Sequence, residues 1–544
     1  MGSRWGRTIG GFSSTHLPTA RQMMEVRDLS RFGILPTNTA NILQAISVAN
    51  LDIIRYDTEI DKRQTRKQLE RLTSEREALA CYANLCRSAL SPVHRMPNEL
   101  LTCIFERCLP HDLYITSVTQ SPAEEVDRIF HRHLLELSQV CFRWHHVVME
   151  TPQLWSRITV DTRLWDKCEV PIANLLRMLE SSLDRGKQHP LVLVAYAVKP
   201  HHHSLLQLLR KHAQRWQKAY IWGDDCTDEL QTYAGNFPQL KRVSLGKCRD
   251  TKVFHAAPLL QEVVLFNGAL DNLPKLPWAQ IQKFAYYDAP QTRNISLPAL
   301  LSLFPLLTSA IEVIVALCLC RSSNEPLDLD ITSSVLYVQF CMKTTAETAS
   351  RFFEHMKFPC LRSFCMFPRD IRNLPVWNSS DFISLATRSD FGSCLTHLAV
   401  HAIVTDVELL RCLEVLPKLS SLSIADCSSP GPSQTVITDT LLRKLQCMSD
   451  TQCLLVPKLQ VLILNTVLGF TDSVYLDLVR SRAESQDGLI FMADLWLMEA
   501  RIREVGAEAL DEITKLTTGR ALIFNRGDWS IKMRFKYSIV CFHF

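Results

Sequence analysis

The chain has 544 residues, 47% hydrophobic and 21% charged, with 17 Gly, 25 Pro and a formal net charge of +4. That mix is ordinary for globular chains and excludes wholesale disorder, collagen-like repeats and low-complexity sequence, while the length predicts two to four domains. The near-neutral charge excludes a domain-wide basic face, so no nucleic-acid partner is expected.

Residues 1–50 read as a loosely ordered segment rich in Gly, Ser, Thr and Arg, with a weak helical signal at Asn41–Ile54. No apolar leader follows Arg4 and Arg7, so secretion is not expected. Residues 51–90 predict a charged amphipathic helix, in which Lys62, Arg63, Arg66 and Lys67 alternate with Glu59, Asp61 and Glu70. A 3–4 spacing of Leu69, Leu72, Arg76, Leu79, Ala83, Cys86 and Leu90 makes a seam broken only at Arg76. That is the lower limit of a coiled coil, so two copies could pair through residues 69–90; packing on the chain's own neighbouring helices is the other reading. Ser91-Pro92 ends the helix, because proline disfavours helical geometry in the residue before it.

Residues 91–160 hold the most specific pattern. Met96-Pro97-Asn98-Glu99-Leu100-Leu101 leads to Ile104-Phe105; Val140-Cys141 and Trp144 come later, then Pro152, Leu154-Trp155 and Ile158. Pro97 presets the start of a helix and Glu99 suits its positive end. Leu100, Leu101, Ile104, Phe105 and Cys108 spread over two adjacent i, i+4 rows, wider than one internal contact needs. About 45 residues of short helix bury little surface alone, so the surplus apolar face calls for a partner. The segment resembles an F-box, with residues 112–128 as a loop insertion of the kind many fungal members carry. The resemblance implies docking of a Skp-type adaptor, and through it a cullin, by Pro97, Leu100, Leu101, Ile104, Val140 and Trp144. Pro97 and Trp144 are the expected hot spots.

Past Asp161, Pro-x-Leu-x-x-Φ-x-Φ, with Φ apolar, occurs in five strict copies. They begin at Pro238, Pro258, Pro359, Pro417 and Pro457, with looser copies at Leu395 and Pro277. The Φ residues two apart share one strand face, and the leucine closes the turn into the strand. Helical stretches such as Asp406–Leu416 and Asp439–Cys447 lie between copies. A strand–helix unit recurring every 20–40 residues predicts a solenoid over 161–524, similar to irregular leucine-rich repeats. The fold class expected is therefore α/β: an N-terminal helix and three-helix F-box, then a leucine-rich-repeat-like solenoid. Residues 525–544 match no repeat. The apolar run Ala299–Cys320 contains Pro305 and Glu312 and divides into a short helix and a strand, so no membrane span is expected.

Phosphate-binding glycine loops, His-Glu-x-x-His and Gly-x-Ser-x-Gly are absent. His201–His203 with His212, and the carboxylates Asp224, Asp225, Asp228 and Glu229, read as solvated surface. No metal, cofactor or catalytic residue is expected. The 19 cysteines include no Cys-x-x-Cys pair and suit free thiols in a reducing compartment, cytoplasmic or nuclear. The expected role is a non-enzymatic substrate-recognition subunit of an SCF-type ubiquitin ligase, its target not identified by the sequence. The alternative is a repeat scaffold or sensor whose F-box-like bundle only packs.

Overall fold

The computed structural model describes residues 17–32, 39–62, 66–109, 131–197, 201–223, 237–246, 251–267, 275–288, 295–319, 330–343, 345–369, 374–427, 435–447, 455–483, 491–498 and 501–509, besides Leu230, Glu512 and 522–525. The insertion expected at 112–128 and the tail after 525 lie outside them. The chain divides into one unit of residues 1–160 with 164–191 and a second of 161–163 with 192–544. Its class is α/β, with helices N-terminal and a large parallel sheet C-terminal.

The first unit opens with α1 (Ala20–Phe32), α2 (Thr39–Lys62) and α3 (Arg66–Leu90). The loosely ordered segment expected over 1–50 therefore contains α1 and the first half of α2. Thr19 and Gln22 bond reciprocally, the Thr19 amide to Oε1 at 2.9 Å and the Gln22 amide to the Thr19 hydroxyl at 3.2 Å, forming a capping box before α1. The single helix expected over 51–90 is two helices lying antiparallel, as Tyr56 to Glu75 (2.9 Å) and Arg87 to Asn50 (2.6 Å) require. Leu72, Leu79 and Ala83 of the predicted seam pack with Ala49 and Tyr56 of α2, and Cys86 packs with Val26 of α1. These four seam residues are thus covered within one chain, whereas Leu69 at the seam's start is 39% exposed.

Three shorter helices follow: α4 (Asn98–Cys108), α5 (Arg132–Ser138) and α6 (Phe142–Glu150). Beyond β1 (Arg157–Asp161) comes α7 (Ile172–Arg185), whose Leu175, Leu179 and Leu183 are fully buried.

In the second unit the strands are β2 (Leu191–Tyr196), β3 (Trp216–Trp222), β4 (Arg242–Gly246), β5 (Glu262–Phe266), β6 (Lys283–Tyr287) and β7 (Glu312–Cys318). After the two-residue β8 (Ile331–Thr332) come β9 (Tyr337–Lys343), the two-residue β10 (Met356–Lys357), β11 (Ser363–Pro368) and β12 (His397–Val400). The set ends with β13 (Ser421–Ala425), β14 (Val461–Thr466), β15 (Met492–Leu497) and β16 (Leu522–Asn525). β8 and β10 pair only with each other; the rest, from β2 on, neighbour one another in chain order. Every pairing from β3 to β16 is parallel.

The register follows the recurring motif. Val243, Val263, Phe284, Val313, Val338, Phe364, Leu398, Leu422 and Leu462 form one continuous row of strand partners. All are 2% exposed or less, as are the entering leucines Leu240, Leu260, Leu361 and Leu419. After α8 (His202–Arg210), the described part of Ala299–Cys320 resolves into α9 (Leu297–Leu303), a 3-10 turn and β7. Among the described residues no helix is long and apolar enough to cross a membrane.

In the second half of the sheet, helices alternate with strands: α10 (Ala346–His355), α11 (Ser379–Arg388), α12 (Phe391–Cys394), α13 (Asp406–Glu414), α14 (Asp439–Leu445) and α15 (Asp472–Ala483). Between β4, β5 and β6 the described connections carry only 3-10 turns, Lys252–Phe254 and Trp278–Gln280. A second periodicity ties the helix starts together. Thr405-Asp406, Thr438-Asp439 and Thr471-Asp472 stand 33 residues apart. Asp406 accepts from the Thr438 hydroxyl at 2.7 Å, and Asp439 accepts from the Thr471 amide at 2.7 Å. Asp472 accepts from the Gly506 amide at 2.9 Å and from Arg503 at 2.5 Å. Cys81, Cys86, Cys341 and Cys412 are free thiols, whereas Cys447 is disulfide-bonded and departs from the all-thiol expectation.

Candidate docking face

α4 starts at a proline. Pro97, with φ −55° and ψ 150°, precedes the first helical residue, and its carbonyl accepts from the Leu100 and Leu101 amides at 3.1 and 3.2 Å. The two adjacent i, i+4 rows then divide between core and surface. Leu101 (1% exposed) and Phe105 (0%) point into a core with Leu134, Val147, Val148, Leu154 and Trp155. Leu100 and Ile104 stay 52% and 41% exposed, and Pro97 beside them is exposed as well.

That core holds the inner row in place. The Trp155 indole donates to the Val148 carbonyl at 2.8 Å, and the Arg185 guanidinium of α7 sits 4.6 Å over its ring. Both interactions suit a large aromatic whose polar edge is buried.

α6 brings the second part of the face. Its N-cap is Cys141, whose sulfur accepts weakly from the Trp144 amide at 3.5 Å. Val140 just before it is 61% exposed, and Phe142, its first residue, 44%. Trp144 is half-buried, its ring edge-on to Phe105 at 4.8 Å between centroids.

Arg143 joins the two helix starts. Its guanidinium donates to Asn98 Oδ1 at 3.1 and 3.0 Å, to the Val93 carbonyl at 3.4 Å, and to the Met96 carbonyl. Pro97 and Leu100 therefore flank the same junction as Val140 and Phe142, with Ile104 one turn further along α4.

Residues 93–161 match the F-box-like family. Domains of this family generally bind Skp-type adaptors. Comparison of the whole sequence with curated proteins gives no match. Four of the six residues that the resemblance implies for docking, Pro97, Leu100, Ile104 and Val140, are on the surface of the F-box-like bundle. Leu101 is in its core and Trp144 half inside, so both support the face from beneath.

Phe142 is the apolar surface residue that sequence reasoning left out, although it stands inside the Val-Cys-Phe-Arg-Trp element. Its position between the Cys141 cap and Arg143 is the signal that could have found it. Among the described residues, His, Cys, Asp and Glu nowhere gather in a group of three that could hold a metal.

Proposed function

We propose that the protein is a substrate-recognition subunit of an SCF-type ubiquitin ligase. The F-box-like bundle docks a Skp-type adaptor, which links the chain to a cullin. The parallel sheet and its helices form a leucine-rich-repeat-like solenoid that captures a target protein. Tethering then raises the concentration of target lysines near the charged conjugating enzyme, and this chain performs no chemistry.

The observation that carries the reading is a coincidence of family and surface. The segment that matches an adaptor-binding family leaves Leu100, Ile104, Val140 and Phe142 between 41% and 61% exposed. The repeat architecture is supported by in-register pairing of successive strands and by the Thr-Asp spacing of the helix starts.

Titration of the full-length chain with purified Skp-type adaptor tests the proposal. The wild type binds, and the Leu100→Asp, Ile104→Asp double variant does not, with an unchanged melting temperature. Equal binding by the two proteins would leave the alternative: a repeat scaffold whose bundle is only a packing module.

A further inference from the structure

We infer that Arg143 is a positioning residue for adaptor docking: it locks the Pro97 turn to α6 and so fixes the outer row of α4 relative to Val140 and Phe142. The inference rests on the docking role proposed above and adds a residue that touches the face only from behind.

The turn needs an external tie. The 3-10 turn Pro92–Arg95 and the N-cap Pro97 have no side-chain cap, and proline has no amide hydrogen to offer. Beyond the 3-10 turn's own backbone bonds, the closure toward Pro97 is the Met96 amide on the Val93 carbonyl at 3.4 Å, a long bond. The Arg143 guanidinium spans it from outside, reaching the Val93 and Met96 carbonyls and the Asn98 amide oxygen together.

A planar fork with five donors can serve three acceptors in fixed directions, and these bonds are charge-assisted. Lysine carries the same charge as a compact ammonium on a flexible stem and cannot span them. Without the fork the turn samples other conformations, and adaptor binding must first select the competent one, which weakens apparent affinity by the lost fraction.

Three variants of the full-length chain separate positioning from bulk stability: Arg143→Lys, Asn98→Ala and Asn98→Asp. Each is titrated with purified Skp-type adaptor well below its melting temperature, and amide exchange over residues 92–101 is followed free and bound. Arg143→Lys and Asn98→Ala are expected to bind about tenfold more weakly, the equivalent of one strong hydrogen bond. Asn98→Asp, which keeps the acceptor and adds a charge, stays near wild type. Exchange over 92–101 rises in the two weak variants and falls back when adaptor is bound, which a general loss of stability would not produce. Wild-type affinity in Arg143→Lys, or faster exchange spread evenly over the bundle, overturns the positioning role while leaving the docking reading intact. A wild type that does not bind adaptor removes the docking reading, and this inference with it.

Discussion

Leu100 and Leu101 differ in the side of α4 they occupy, and the side decides what a substitution does. Leu101→Ala removes a side chain from a closed core, so unfolding free energy should fall by about 2–5 kcal/mol in denaturant titrations. Leu100→Ala should change stability by no more than about 0.5 kcal/mol and lower adaptor affinity instead. The sequence shows both rows but not which faces inward, because the choice is made by α5 and α6 some thirty residues away. Trp144 shows the same division within one side chain: its ring packs edge-on to Phe105 and is half-buried.

His401 allows a prediction in pH. It is 1% exposed, with its ring 3.1 Å from the Ser423 hydroxyl and edge-on to Phe367, and burial pushes its pKa down to about 3. The unfolded imidazole, at about 6.5, binds protons that the folded one refuses. His401 therefore withholds nothing from stability above that value and costs it as pH falls toward 3, by up to about 1.4 kcal/mol per unit. Equilibrium unfolding of His401→Gln between pH 4 and 7 should show a shallower slope than wild type.

At the scale of elements, the period-two reading of Pro-x-Leu-x-x-Φ-x-Φ located inward side chains because a buried parallel strand leaves them no other face. The helices were less legible. α1 buries little more than Val26, so hydrophobic spacing gave no signal, although the Thr19–Gln22 box was there to be read. The Thr-Asp steps, 33 residues apart, are a helix-start signal as periodic in the sequence as the strand motif.

Leu79 is 1% exposed and packs against α2, so Leu79→Asp should collapse the α1–α3 bundle and lower the melting temperature. Its oligomeric mass, measured by light scattering, should match that of wild type. Arg482 is a second test of packing. It is 3% exposed and donates to the carbonyls of Leu445, Val456 and Leu455 at 2.7, 3.1 and 3.1 Å. Burial lowers its pKa to about 10, which leaves it charged at neutral pH. Arg482→Met strips three buried acceptors of their donor and should cost about 3 kcal/mol or more in denaturant titrations.

At the scale of the molecule, the second unit couples mainly through nearest neighbours. From β3 to β15 each described strand of the main sheet pairs with the strands before and after it in the sheet, and Asp406, Asp439 and Asp472 each bond to a residue 31 to 34 positions ahead. Stability in such a stack is roughly a sum of local and adjacent terms. Asp439→Ala should accordingly speed amide exchange in α14, α15 and β14, and leave β3–β7 as they were.

The same ordering bears on how the protein is made. A sheet in which each new strand lies against the one before it can be laid down in the direction of translation, without waiting for distant sequence. The ribosome would then release the F-box-like helices before the sheet and extend the sheet behind them one hairpin-free step at a time. A stalled or truncated product would leave an open strand edge at its growing end, the kind of surface on which chains aggregate.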